Sequence, residues 1–120
     1  MTIGRSSTAL RRGDVVLVPF PYAELTMTKT RPALIVSGAA FASAEGRITV
    51  AGITSNVAAH RNATSYEIPN WAAVGLKKPS VVTAWLATIS AALVQFKVGR
   101  LTARDLREVA QSLRVALDLL

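Results

Sequence analysis

Residues 28–37 read TKTRPALIVS: polar and basic as far as Arg31, then Pro32, then the apolar run Ala33-Leu34-Ile35-Val36. The change of character at the Arg-Pro step sets the fold class. The β-branched run after it reads as a buried strand. Pro32 has no N–H to give a ladder, so it belongs at a strand's first residue or on a strand edge. Arg31 then stands at the strand mouth on a rigid base, with its guanidinium directed at an anion.

Further strands flank this one. Before it, Gly13-Asp14 punctuates the entry to Val15-Val16-Leu17-Val18-Pro19-Phe20, a continuous run expected to be buried on much of both faces. Pro19 and Pro21 are expected to end regular pairing. Residues 21–30 form a polar loop of about ten residues, a length that inside compact domains is often functional. After the central strand, residues 38–46 are small and Ala-rich, a connection with a helical turn. Residues 47–53 are a third strand, closed by Thr54-Ser55-Asn56, and residues 57–63, with the only histidine, His60, are a second polar loop.

Residues 64–69 read as a short strand with Tyr66 and Ile68 on one face, residues 71–74 as a turn, and Gly75-Leu76-Lys77-Lys78-Pro79 as a basic turn. Residues 80–90 and 93–98 are two more strands, the second alternating Val94, Phe96 and Val98 against Gln95 and Lys97. Thr102 is the N-cap of a terminal helix, with Asp105 three residues on at the positive end of the dipole. Leu106, Val109, Ala110, Leu113, Leu117 and Leu120 recur at threes and fours along a helix of about 16–18 residues. Many short strands followed by one helix predict a mainly β fold: a small antiparallel β-barrel with a C-terminal amphipathic helix packed on it.

The length of 120 residues suits one domain, and 51% hydrophobic against 18% charged residues supplies a core, which excludes a disordered chain. The expected division is a flexible tail over residues 1–12 and a single domain over residues 13–120. No apolar run is long enough for a membrane span, and the first residues hold no apolar signal core, so the expected location is the cytoplasm. The absence of cysteine excludes disulfides, thiolate chemistry and the soft ligands of a structural zinc site. With 14 Lys+Arg against 7 Asp+Glu, the net charge of +7 favours a polyanionic partner.

The chemistry follows by residue type. One histidine and seven carboxylates without ligand spacing give no metal site. No Gly-rich phosphate loop and no nucleophile-elbow motif occur. What remains is Arg31, Thr54, Ser55 and nearby bases. Arginine stays charged, matches phosphate bidentately and stabilises a phosphorane-like transition state, and a hydroxyl donates to a phosphate oxygen. RNA supplies its own nucleophile, the 2′-hydroxyl. Taken alone, these residues are also what an ordinary strand mouth and strand end contain.

The blocks Arg12-Gly13-Asp14-Val15, Thr30-Arg31-Pro32-Ala33-Leu34-Ile35-Val36-Ser37, Ile53-Thr54-Ser55-Asn56, Tyr66-Glu67-Ile68-Pro69, Gly75-Leu76-Lys77-Lys78-Pro79-Ser80-Val81-Val82, Ala87-Thr88-Ile89 and Gly99-Arg100-Leu101 occur in that order. As a set they resemble the MazF/PemK-type (Kid/PemK) toxins, the ribonuclease partners of bacterial type II toxin–antitoxin pairs, over residues 12–119. The resemblance implies an SH3-like barrel, a homodimer, and a metal-independent endoribonuclease without cofactor. It would cut single-stranded RNA or mRNA at a short motif and leave a 2′,3′-cyclic phosphate. It implies that Arg31 acts on the scissile phosphate, as electrostatic stabiliser and as proton donor or acceptor, and that Thr54 holds or polarises a phosphate oxygen. It also implies an acidic antitoxin whose tail covers the dimer groove, and operator DNA bound through the toxin–antitoxin complex.

On this reading loop 21–30 gates the groove. Glu24, Thr28, Lys29, Thr30, Ser55, Asn56, Arg61, Lys77 and Lys78 are the expected RNA contacts, with Thr26 beside them. The chain departs from many relatives after Ser80, where Thr83, Ala84 and Trp85 replace charged or amide residues, and Trp85 is expected in the core, with stacking on a base as the alternative. Two rival readings stand beside this one. CcdB-type toxins share a similar barrel and poison DNA gyrase by protein contact, and a third possibility is a barrel that binds RNA or antitoxin without cutting.

Overall fold

The computed structural model describes residues 9–20 and 29–120. Six strands, β1 (Asp14–Phe20), β2 (Lys29–Ile35), β3 (Arg47–Thr54), β4 (Tyr66–Glu67), β5 (Val81–Ser90) and β6 (Phe96–Arg100), form one sheet in the order β4-β5-β3-β2-β1-β6. Every pairing is antiparallel. The sheet curls into a half-barrel, giving the mainly β architecture that the strand pattern predicts. Helix α1 (Ala39–Glu45) joins β2 to β3, a one-turn helix α2 (Trp71–Val74) follows β4, and α3 (Ala103–Leu117) closes the chain. Among the described residues, no helix is long and apolar enough to cross a membrane.

The prolines are tolerated because of where the neighbouring strands end. The ladder of β1 and β2 runs through Leu17↔Pro32 and Pro19↔Thr30 to Phe20↔Lys29, past the point where Pro19 was expected to stop it. The Leu17 carbonyl accepts from the Gln95 N–H at 2.9 Å, so Leu17, and by alternation Pro19, turn their backbone groups toward the β6 flank. Pairing with β6 ends at Leu17↔Phe96, and the missing N–H of Pro19 breaks no bond. Pro32 likewise faces β3, whose ladder begins only at Ala33↔Gly52. The first half of β2 is therefore an edge strand, as Pro32 requires, and Arg31 lies on that edge.

The sheet has a buried cluster on each face. On one, Val15, Leu34, Ala51, Ile53, Ile68, Val82, Leu101 and Val109 lie under α2 and α3. On the other, Val16, Val18, Phe20, Ala33, Ile35, Ile48 and Val50 pack inside the curl. Successive residues of β1 and β2 supply opposite clusters, which is why both strands read as unbroken apolar runs. Leu10, placed by sequence in the tail, packs against the second cluster. Strand β6 departs from its predicted alternation: Phe96, opposite Leu17, is 61% exposed, Val94 and Val98 serve different clusters, and the β1–β6 register shifts between Val15 and Val16.

Two hydrogen bonds at Asp105 fix the start of α3. The Thr102 hydroxyl oxygen accepts from the Asp105 N–H at 3.0 Å, so the predicted cap is present. The Tyr66 hydroxyl donates to Asp105 Oδ1 at 2.6 Å, tying β4 to the first turn of α3. Burial, and then the hydrogen bond to Asp105, push the Tyr66 phenol up to about 12 from its ordinary 10.0. The unfolded chain therefore ionises this phenol first. The stabilisation is whole below about pH 10 and is lost as pH rises through about 12. Denaturation midpoints measured from pH 9 to 12 should fall more steeply for the wild type than for Tyr66→Phe; parallel profiles would refute the coupling.

Candidate active site

Arg31 and Thr54 lie at the same end of the sheet. Arg31 is exposed on the edge half of β2, opposite Val18 of β1. Thr54 is the last residue of β3, half-buried and opposite Val81 of β5. The ladder of β2 and β3 ends at Ala33↔Gly52. Carried two residues further, that register puts Arg31 level with Thr54. By alternation both lie on the face of the inner cluster, since Ala33 and Ile35 share the parity of Arg31, and Ile48 and Val50 that of Thr54. The register, carried past its last pair, thus sets two residues that are far apart in sequence on one face at one end of the sheet.

The Thr54 hydroxyl is held by its own chain. Its Oγ1 accepts from the Asn56 N–H at 3.1 Å, a local turn formed as β3 ends. That bond uses a lone pair and leaves the hydroxyl proton available to donate. Ser55 and Asn56 follow, both exposed, and lead into a 3-10 turn over Val57–His60. Arg61 comes directly after that turn and is exposed.

The other expected contacts separate by position. Lys29 is exposed and shares the face of Arg31, at the end of the β1–β2 ladder. Thr30 points to the opposite face, where its hydroxyl donates to Gln95 Oε1 at 3.2 Å. Lys77 and Lys78 are exposed in the turn before β5, at the same end of the sheet as Thr54. The Lys78 carbonyl in that turn accepts from the Ser80 hydroxyl at 2.8 Å. Glu24, Thr26 and Thr28, with most of the loop expected to gate the groove, lie outside the described residues. Among the described residues, no group of three or more His, Cys, Asp or Glu side chains gathers as a metal site.

Trp85, for which core packing is the favoured expectation, is 44% exposed, with its indole against the His60 imidazole in an edge-to-face contact at 4.9 Å and 82°. It stands at an irregularity in the β3–β5 ladder, where Ala51↔Leu86 is followed by Ile53↔Val82. Gly52 alone thus stands against Thr83, Ala84 and Trp85. The Thr83 hydroxyl, buried, donates to the Gly52 carbonyl at 2.8 Å and accepts from the Trp85 N–H at 3.1 Å, satisfying groups that the bulge removes from the ladder. An apolar strand carries no local sign of such a bulge. The one available hint was a large aromatic where relatives carry polar side chains.

Residues 11–117 match the family described as PemK-like, MazF-like toxin of type II toxin–antitoxin system. Among solved structures, the chain is similar to the Mycobacterium tuberculosis toxin MazF-mt6, at 29% identity and a TM-score of 0.71, covering 88% of this chain and 97% of that one. An endoribonuclease in complex with its cognate antitoxin, from a mycobacterial species, superposes with a TM-score of 0.75 at 20% identity, over 93% of this chain and 98% of that one. MazF from Deinococcus radiodurans gives 0.70 at 22% identity, over 91% and 96%. At those lower identities the likeness is one of fold. No curated protein matches the chain.

Proposed function

The chain belongs to the PemK-like, MazF-like toxins of type II toxin–antitoxin systems, and from that premise we infer that it is an endoribonuclease cutting single-stranded RNA with the RNA's own 2′-hydroxyl as nucleophile. The observation that carries this reading is the register that levels Arg31 with Thr54 on one face of the sheet. In the reaction, the 2′-oxygen bonds to phosphorus and the bond from phosphorus to the 5′-oxygen breaks. The proton lost by the 2′-hydroxyl is balanced by the one gained at the 5′-oxygen, so the products are a 2′,3′-cyclic phosphate and a 5′-hydroxyl.

The protein's part is charge and orientation. Negative charge grows on the non-bridging oxygens as phosphorus becomes five-coordinate. A guanidinium offers those oxygens two parallel N–H donors and a full positive charge. The Thr54 hydroxyl, held by the Asn56 N–H, donates a hydrogen bond to one of them and keeps its proton. Lys29, Arg61, Lys77 and Lys78 contribute attraction for the RNA backbone, which positions the strand without reading its sequence. Ser55 and Asn56 are polar neighbours of the same site. Incubating the protein with RNA in EDTA and mapping both ends of the fragments tests the reading. Cyclic-phosphate and 5′-hydroxyl ends are expected, and intact RNA would refute it.

The same reading supplies two protein partners. Val115, Leu117 and Leu119 are exposed at the end of α3. Beside them, Leu86, Leu106, Leu113 and Leu117 line a cleft of about 340 Å³ between α3 and the sheet. An apolar surface of this kind is expected to be covered. A second copy of the chain, related by a two-fold axis, is the cover that the family favours. An acidic antitoxin is the second partner, attracted by the net charge of +7. The structures of relatives with their antitoxins support that assignment.

A further inference from the structure

The geometry points to Trp85 as a base-stacking platform that fixes one nucleotide beside the scissile phosphate, and so as a residue that sets sequence preference. The inference rests on the ribonuclease reading above and deepens it. Trp85 shares its face with Ala87 and Ile89, and both of those pack on the inner cluster. That is also the face of Arg31 and Thr54. Trp85 is one of the three residues of β5 that stand against Gly52, and Gly52 pairs Ala33 on β2. The row Trp85–Gly52–Ala33 therefore lies next to the row Thr54–Arg31. Between the indole and the guanidinium stand two of the smallest residues.

The indole is built into place rather than left at the surface by chance. The Thr83 hydroxyl locks the bulge through Gly52 and the Trp85 N–H. Bulges re-aim side chains next to active sites. His60 braces the ring from the 3-10 turn, which descends directly from Thr54 through Ser55 and Asn56. One short segment therefore positions both the hydroxyl for the phosphate and the brace for the indole. Whichever ring supplies the edge of the edge-to-face contact, at least one indole face is not covered by the imidazole, and Trp85 is 44% exposed. An aromatic face beside an arginine and a hydroxyl suits a nucleotide, with the base on the ring and the phosphate on the cation.

The test uses the full chain in a Trp71→Phe background, so that Trp85 is the only fluorophore of its kind. The probe is a mixed-sequence single-stranded 2′-O-methyl RNA 12-mer, which lacks the nucleophile and cannot be cut. Saturable quenching of Trp85 is expected, and its absence would overturn the proposal whether or not the protein cleaves RNA. With cleavable RNA, Trp85→Leu should lose roughly 5- to 150-fold in kcat/KM, the range for one stacked base, mainly through KM. Trp85→Phe should recover most of that loss, and fragment ends should lose preference at one position. Unchanged KM and unchanged ends in Trp85→Leu would also overturn the platform. Quenching without any cleavage by the wild type would instead refute the ribonuclease reading and leave the stacking site standing.

Discussion

Arg31→Ala is expected to lower the rate of RNA cleavage by about 10²–10³-fold, the usual effect of removing one preorganised donor from a charged transition state. The loss should fall on kcat. The guanidinium is needed most when charge builds on the phosphate, and Lys29, Arg61, Lys77 and Lys78 still attract the RNA. Arg31→Lys should restore only part of the rate, because an ammonium keeps the charge but not the two parallel donors. Arg31 is exposed on a strand edge, so thermal stability should change little. Single-turnover cleavage of one defined RNA, followed beside a thermal melt, reads both quantities. A full rate in Arg31→Ala would remove this residue from the chemistry. A collapsed melt would make the rate loss structural.

Replacing both Lys97 and Arg100 by alanine should destabilise the fold by about 3–5 kcal/mol, because it strands a buried carboxylate. Asp14 is wholly buried at the start of β1. Its Oδ1 receives Arg100 Nη1 at 2.9 Å and Lys97 Nζ at 3.3 Å. Its Oδ2 accepts the Arg11 N–H at 3.0 Å. The two cations are themselves more than a third exposed, so neither ion pair contributes much as a surface bridge. Their role is to neutralise a charge that water cannot reach. Each single alanine should cost less than half of the double, since the remaining cation still faces Asp14. Asp14→Asn, which removes the charge, should be milder than the double variant. Urea unfolding of the four variants checks the order, and additive single effects would contradict it.

The cluster also shows how the site depends on remote packing. Asp14 opens β1, and β1 carries the ladder that sets β2 beside it. Loosening the β1–β6 junction should therefore blur the position of Arg31 before the chain unfolds. The same dependence explains what the sequence reading reached. Val15 to Phe20 and Ala33 to Ile35 were legible as strands because β-branched runs need no partner to announce themselves. The Thr102 cap and the spacing of Leu106, Val109 and Leu113 marked α3, since a helix satisfies its hydrogen bonds within one segment. Phe96 and Trp85 are exposed where core packing was the expectation. Alternation gives the face of a side chain but not whether another layer covers that face, and at a register shift the ladder no longer fixes what stands opposite.

By itself, then, the sequence determined the strands, the capped helix, the positive charge and the presence of an arginine at a proline-marked strand edge. All of these are local properties of the chain. The fold, in contrast, sets Arg31 level with Thr54 and raises Trp85 in the adjoining row with His60 against it. It also decided that Asp14 is neutralised from a strand 86 residues away. Those arrangements depend on how distant strands pair. Pairing is set by the matching of whole faces during packing, and no single segment encodes it.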